Sequence, residues 1–339
     1  MVLAGFAVAV VGAEILLRIW TRVTNPPLYE LDTQLGWKHA SNVDRRLDVE
    51  GGGTVRFVTD ARGLRVMPHA SERVPGERRV LFSGDSFTQG SQVEGSEVFP
   101  ALVERALPRM QCIDAGVGGY STMQEWRALP ALLAQYSPDL VVLVLYENDF
   151  QDNLLPYYSF LGPRPYVRVT GDVVEAIDAP DPRPFERFLM PAPGAMWCYE
   201  HCAIYRALHK NVFLQLRGLE LAELEAKERA AVADADARTA MSWLLARIAA
   251  TVREANRELL VVAIPAREDV KAGASPSHEW LARVCERLGV PFVSALAALR
   301  EVGAERAYFA MDIHLTASGH ECMAALLQAP IAAMLERHN

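Results

Sequence analysis

Val80-Leu81-Phe82-Ser83-Gly84-Asp85-Ser86-Phe87-Thr88 is the stretch on which the reading of this chain turns. Three apolar residues after the basic pair Arg78-Arg79 predict a short buried strand of the kind found at the centre of a parallel sheet. Gly84 ends it, because glycine tolerates the backbone angles of a tight turn. Ser86 then falls just past the carboxyl end of a strand, where open α/β sheets place their ligands. A serine there, with backbone N–H groups turning into the next segment, is placed as a nucleophile in its own oxyanion site. Taken alone, Gly84-Asp85-Ser86 fits a capped turn before a helix better. Three later stretches decide between the two.

Working outward, Gln111 to Ala115 predicts a second short strand, running into Gly116-Val117-Gly118-Gly119. Asp139 to Leu145, with Leu-Val-Val-Leu-Val-Leu after the acid, is the cleanest buried strand. Leu259 to Ile264 and Pro291 to Ser294 follow as further strands. Helices are expected over Ser96 to Leu107, Ser121 to Tyr136 with Ser121 as its cap, His278 to Leu288 and Ser318 to Leu335. Strands alternating with helices of this length give a parallel sheet covered on both faces. The rhythm breaks over about 150–231, a stretch rich in proline up to Pro193, in which Tyr166 to Val174 around Thr170-Gly171 predicts a hairpin. We take it as an insertion that shapes a substrate rim or merely fills space. Its charged run Glu220 to Arg238 is expected to be a solvated helix face. From Thr24 to Ser71 the chain is expected to be irregular, apart from a Gly51-Gly52-Gly53 turn leading into a strand-like Thr54 to Val58. The expected division is an anchor at 1–23, a linker and extension at 24–75, and a catalytic domain at 76–339 carrying the insertion.

The net charge is −8 over 339 residues and there is no basic excess, which argues against nucleic acid as a partner. Five scattered cysteines do not make a disulfide scaffold. Trp197-Cys198-Tyr199-Glu200-His201-Cys202 lacks a second ligand pair at zinc spacing, so buried thiols or one local disulfide are expected there.

Val2 to Ala13 is an unbroken apolar run, extended by Ile15, Leu16, Leu17, Ile19 and Trp20. As a helix it would reach about 28 Å, close to one hydrocarbon thickness. Its Val, Leu, Ile and Phe residues are worth about −3 to −6 kcal/mol for insertion, and one acid such as Glu14 returns about 3. A transmembrane signal anchor is therefore expected by a small margin. Arg18 and Arg22 follow the span and nothing basic precedes it, so the positive-inside rule by itself would leave the main domain in the cytoplasm. A start further upstream, with a basic leader, would remove that conflict.

The chemistry-bearing residues fall at the carboxyl ends of predicted strands. After the second strand, Gly118 and Gly119 present bare backbone N–H groups to an oxyanion. After the third comes Tyr146-Glu147-Asn148-Asp149, and the Asn148 amide is a neutral donor suited to the same charge. Met311-Asp312-Ile313-His314 precedes the last helix and supplies a base with a carboxylate to orient it. A hydroxyl is a poor nucleophile until an imidazole takes its proton, so Ser86 and His314 need each other. Residues two apart in an extended segment point the same way, which lets Asp312 reach the far nitrogen of His314. Singly these pieces fit turns and helix caps; together, in order on one sheet edge, they fit a catalytic site.

At these residues the chain resembles the SGNH (GDSL-like) hydrolase superfamily. Gly84-Asp85-Ser86 matches its first block, with Ser86 in the nucleophile position. Asp114-Ala115-Gly116-Val117-Gly118-Gly119 resembles the second, usually Asn-Ala-Gly-x-x-Gly, which maps the oxyanion glycine to Gly119. Asn148-Asp149 matches the end of the third block, and Asp312 and His314 occupy the block of the catalytic acid and base. Two positions depart from the pattern. Tyr146 stands where the third block begins with glycine, and the acid–base block reads Asp-x-His where Asp-x-x-His is commoner. The shorter spacing also occurs in the membrane-anchored and polysaccharide-acetylating branches. Thr59 to Arg65 is similar to the Asn-x-x-Gly-x-Arg segment ahead of the sheet in anchored bacterial members, and Glu14 to Arg18 to part of their anchor.

The resemblance implies a three-layer α/β/α, flavodoxin-like sandwich with a parallel sheet of about five strands in the order 2-1-3-4-5, plus an N-terminal transmembrane helix. It implies a serine esterase working through an acyl-enzyme, with Ser86, Asp312 and His314 catalytic and with Ser86, Gly119 and Asn148 holding the oxyanion. The substrate would be a small-molecule ester or an O-acyl group on an envelope glycan, and no metal or organic cofactor is called for. The same residues would serve an O-acyltransferase, and the fold alone would serve a non-catalytic binding protein. The expected location is a bacterial inner membrane, single-pass, with the catalytic domain outside the cytoplasm.

Overall fold

The computed structural model describes residues 2–24, 27–67, 74–158, 161–180, 194, 197–198, 201–208, 212, 223 and 226–336. Asn25 and Pro26, at the start of the segment expected to be irregular, lie outside the described residues, as does part of the Glu220 to Arg238 run.

The chain begins with a helix at Val2–Thr24. The expected membrane crossing is not borne out: among the described residues, no helix is long and apolar enough to cross a membrane. The polar groups in the middle of this helix are engaged by protein. Glu14 pairs with Arg18 at 2.7 Å and accepts the backbone N–H groups of Ala203 and Ile204 at 2.7 and 2.9 Å. Arg18 in turn donates to the carbonyl of His201. Cys198 and Cys202 in this neighbourhood are free thiols.

The strand expected at Thr54 to Val58 is there, but the rest of the segment, expected to be irregular, also pairs, giving two antiparallel hairpins. Tyr29–Asp32 (β1) pairs with Gly36–His39 (β2), and Asp44–Asp48 (β3) with Thr54–Val58 (β4). The strand Asp-Arg-Arg-Leu-Asp has no apolar alternation to betray it. What holds it is cross-strand pairing, including Arg56 with Asp44 at 2.6 Å, a charge pair on an exposed face. The hairpins are packed into the body of the protein: Trp37 and Phe57 are buried. The Trp37 indole donates to the Gly118 carbonyl at 3.0 Å, and the Tyr120 hydroxyl to the Trp37 carbonyl at 2.8 Å. Arg65 sends its buried guanidinium onto the carbonyls of Gln89, Gly90 and Val93. The stretch between the first helix and the sheet is therefore ordered structure packed on the domain.

Arg78–Ser83 (β5), Met110–Asp114 (β6) and Leu140–Leu145 (β7) form the heart of a five-stranded sheet. In the insertion, Tyr157–Tyr158 (β8) pairs with Gly162–Pro163 (β9), and Tyr166–Thr170 (β10) with Val173–Ile177 (β11), the expected hairpin. Glu258–Ala263 (β12) and Phe292–Ser294 (β13) complete the main sheet. Its order is β13-β12-β7-β5-β6, every pairing parallel, with Val80 opposite both Cys112 and Leu140 and Val261 opposite Leu143.

Successive side chains of a strand point to opposite faces, and the core divides accordingly. Val80, Phe82, Val142, Val144, Leu260 and Val262 face a layer containing Phe99, Val103, Leu327 and Ile331 from the helices Phe99–Ala106 and Ala317–Glu336. Leu81, Ile113, Val141, Leu143 and Val261 face Leu129, Leu133, Met241, Leu245 and Leu281 from the helices Thr122–Tyr136, Asp234–Glu254 and Pro276–Leu288. β5 has neighbours reached by crossovers of opposite direction, so its carboxyl end opens into a crevice at the switch in strand order. That crevice receives the residue that ends the first turn, Ser86.

Candidate active site

β5 stops at Gly84 because nothing larger fits: a Cβ there would lie 2.1 Å from Thr88 Oγ1 and 3.0 Å from the Val144 carbonyl. Asp85 then caps the short helix Ser86–Gln89, its carboxylate accepting the Phe87 N–H at 2.8 Å. This fixes Ser86 at a helix start, where backbone N–H groups point outward. Ser86 Oγ lies 2.7 Å from His314 Nε2. His314 Nδ1 rests against Asp312 Oδ1, which also accepts the His314 backbone N–H at 3.0 Å. With Nδ1–H donated to the carboxylate, Nε2 is the nitrogen left to accept the Ser86 proton. Burial works to raise the Asp312 carboxyl, but the hydrogen bond and charge of His314 outweigh it and hold it below its ordinary value.

Gln92 also reaches the pair. Its amide nitrogen donates to Asp312 Oδ2 at 3.3 Å and lies 2.9 Å from His314 Nδ1, so both carboxylate oxygens carry a partner. Phe87 stacks on Tyr146 at 3.9 Å between centroids and tilts against the His314 ring at 4.9 Å. Tyr146, in the position where a glycine was expected, thus backs the wall that holds the imidazole.

The three expected oxyanion residues, Ser86, Gly119 and Asn148, line one cavity of about 810 Å³ with His314. Ser86 and Asn148 sit at the ends of adjacent strands β5 and β7, and Gly119 follows β6. Gly119 has φ +77°, the left-handed region that favours glycine, and Trp37 and Tyr158 crowd the place a side chain would take. Asn148 donates one amide hydrogen to Asp152 Oδ2 at 2.9 Å, and its nitrogen carries a second.

Asp152 and Arg164 are what the sequence reading missed. Arg164 has no exposed surface. It donates to Asp152 Oδ1 at 2.9 Å, to the Gly119 carbonyl at 3.2 Å and to the Leu155 carbonyl at 2.9 Å. One guanidinium from the insertion therefore braces two of the three expected oxyanion residues, Gly119 directly and Asn148 through Asp152. Arg229 adds a second cation on Asp152 Oδ1 at 2.7 Å. Arg164 stands in Gly-Pro-Arg-Pro, a loop sequence with no periodicity, and only the fold brings it to the site.

Behind Ser86 lies a layer of buried acids. Burial pushes Asp85 up to about 6 and raises Asp149 and Glu125 well above the ordinary carboxylate range. Asp114, where the resembling motif has asparagine, accepts the Gly116 N–H at 2.9 Å and is pushed up to about 7 by burial, with Arg65 opposing. A protonated aspartate there is as neutral as the amide it replaces.

Among solved structures the chain is similar to TesA, at 16% identity and TM-score 0.44, covering 76% of this chain and 99% of that one. It is similar to a two-domain esterase (CEX) active on acetylated mannans, at 15% identity and TM-score 0.43, covering 76% of this chain and 50% of that one. It is also similar to an acetylxylan esterase from Geobacillus stearothermophilus, at 12% identity and TM-score 0.43, covering 76% and 95%. No curated protein matches the chain. The model of the GDSL-like lipase/acylhydrolase family matches residues 82–322, from the strand before Ser86 to beyond His314. On that match the chain belongs to the GDSL-like lipase/acylhydrolase family and is an ester-cleaving hydrolase.

Proposed function

We propose that this hydrolase is a serine esterase whose nucleophile is Ser86. Ser86 Oγ attacks the ester carbonyl while His314 Nε2 accepts its proton, and Asp312 fixes the ring and stabilises its positive form. The N–H groups of Ser86 and Gly119 and the Asn148 amide hold the oxyanion. Collapse expels the alcohol, which takes the proton from His314, and water then releases the acyl group by the same steps in reverse. The observation that carries this is the continuous contact from Ser86 Oγ through His314 to Asp312, opening on a cavity.

The substrate we infer is an O-acyl group on a polar alcohol such as an envelope glycan. Tyr29 and Tyr158 give the cavity aromatic faces, while Gln151, Glu147, Arg229 and Arg238 give it polar and charged ones. These groups keep the site wet, which favours water over a sugar hydroxyl as the acceptor and so esterase over acyltransferase. Attachment to a bacterial inner membrane, with the catalytic domain outside the cytoplasm, belongs to the same proposal. It is supported by the exposed Phe6, Val8, Val11, Ile15, Leu16 and Ile19 of the first helix and by the resemblance to anchored relatives. The direct test is a screen of short-chain aryl esters and acetylated glycans with wild type beside Ser86→Ala. Turnover by wild type that vanishes in the variant is expected; equal turnover would place the chemistry elsewhere.

A further inference from the structure

The loop that carries Asp312 and His314 is gripped from outside the span matched by the family. Three consecutive backbone N–H groups, those of Ala310, Met311 and Asp312, converge on the carboxylate of Glu50 at 3.0, 2.8 and 2.8 Å. Successive amides turned to one side form an anion-binding concavity, and here a side chain fills it. Glu50 is presented by the turn between β3 and β4, in which Gly51 and Gly52 have φ of +89° and +82° and Val49 N–H closes on the Gly53 carbonyl at 3.0 Å. The rest of the loop is held from the domain itself. Phe309 N–H bonds the His314 carbonyl at 3.0 Å, and Arg267, paired with Glu305, donates to the Ala310 carbonyl at 2.8 Å. Met311 and Ile313 point their side chains to solvent, 90% and 56% exposed, so packing of those side chains does not fix the loop. Gln92 and Phe87 hold the Asp312 and His314 side chains, and hydrogen bonds hold the backbone that carries them, three of which Glu50 accepts.

We propose that Glu50 is a positioning residue for the reaction, the amino-terminal hairpin reaching across to set the Asp312–His314 segment against Ser86. This rests on the triad reading above. The amides of Asp312 and Met311 hold the Glu50 carboxyl below its ordinary value against the charge of Asp312, so it is an anion at neutral pH. Removing it frees residues 310–312 and lets His314 drift from the Ser86 hydroxyl. A displacement of about 1 Å in a reacting group costs up to about 100-fold in rate. Substrate-binding groups on the far side of the cavity are untouched, so the loss belongs in kcat and not in KM.

The test compares Glu50→Ala, Glu50→Gln and Ser86→Ala with wild type on an aryl acetate, with melting temperature measured for each. Glu50→Ala should lower kcat by about 10- to 100-fold with KM within about twofold and the melting temperature nearly unchanged. Glu50→Gln, which keeps one acceptor oxygen and loses the charge, should fall between. A kcat within twofold of wild type in Glu50→Ala, with Ser86→Ala inactive, overturns the clamp and leaves the triad standing. Activity retained in Ser86→Ala overturns the triad and the clamp with it. Should Glu50→Ala melt below the assay temperature, Glu50→Gln decides: a reduced kcat in the folded variant supports the clamp, and a wild-type kcat overturns it.

Discussion

At the scale of single residues, Asn148 and Asp152 divide the work of holding negative charge. Asn148 would meet the oxyanion, and Asp152 keeps its amide aimed while neutralised by Arg164 and Arg229. Asn148→Ala should cost about 3 kcal/mol of transition-state stabilisation, seen in kcat. Asp152→Asn, which weakens the grip on Arg164 and can present the wrong end of its amide to Asn148, should lower kcat by roughly tenfold at unchanged KM. Steady-state kinetics on both variants checks this; a rise in KM at constant kcat would make Asn148 a substrate-binding group. Asp114 offers a pH test. Its carboxyl is raised in the folded state to about 7 from an ordinary value of 3.8, so the folded protein favours the protonated form. The stability this lends is full below pH about 4 and is lost as pH rises towards 7, at roughly 1.4 kcal/mol per unit at most. Asp114→Asn removes that loss, so its melting temperature should match wild type near pH 4 and exceed it increasingly up to pH 7 to 8. A gap that stays constant with pH would show that Asp114 is charged in the fold.

At the scale of elements, what was legible depended on whether an element is held by its own apolar pattern or by partners far along the chain. β7 is six apolar residues buried on both faces, and no other structure suits such a run of that length. The hairpin β10–β11 announced itself through the Thr170-Gly171 turn. β3, by contrast, is mostly charged and exists through pairing with β4. Trp37 lies in the segment expected to be irregular, and only the fold shows it packed against Gly118 and Gly119. Trp37→Ala should therefore destabilise the protein by about 3–5 kcal/mol, measured by denaturant unfolding. A cost under 1 kcal/mol would mean that the hairpins are an appendage after all.

At the scale of the whole molecule, the motif residues were expected to gather in one place, and Ser86, Gly119, Asn148 and His314 do line one cavity. The motifs did not tell how these residues are held in place. Arg164 from the insertion braces the oxyanion side, and Arg65 from the extension ties down the turn after the nucleophile helix. Both are arginines, which sequence alone assigns to the surface, and both bond mainly to backbone carbonyls that any sequence supplies. The first helix teaches the same lesson in reverse: its apolar run was plain, while the backbone groups that Glu14 and Arg18 bond besides each other lie almost two hundred residues away.

If Ser86 and His314 act as one catalytic unit, kcat on one ester for Ser86→Ala, His314→Ala and the double variant will show it. Each single substitution should lower kcat by roughly 10³-fold or more, with the double variant scarcely lower, because either loss alone disables the same step. Losses that add, or a single variant that keeps its activity, would contradict it.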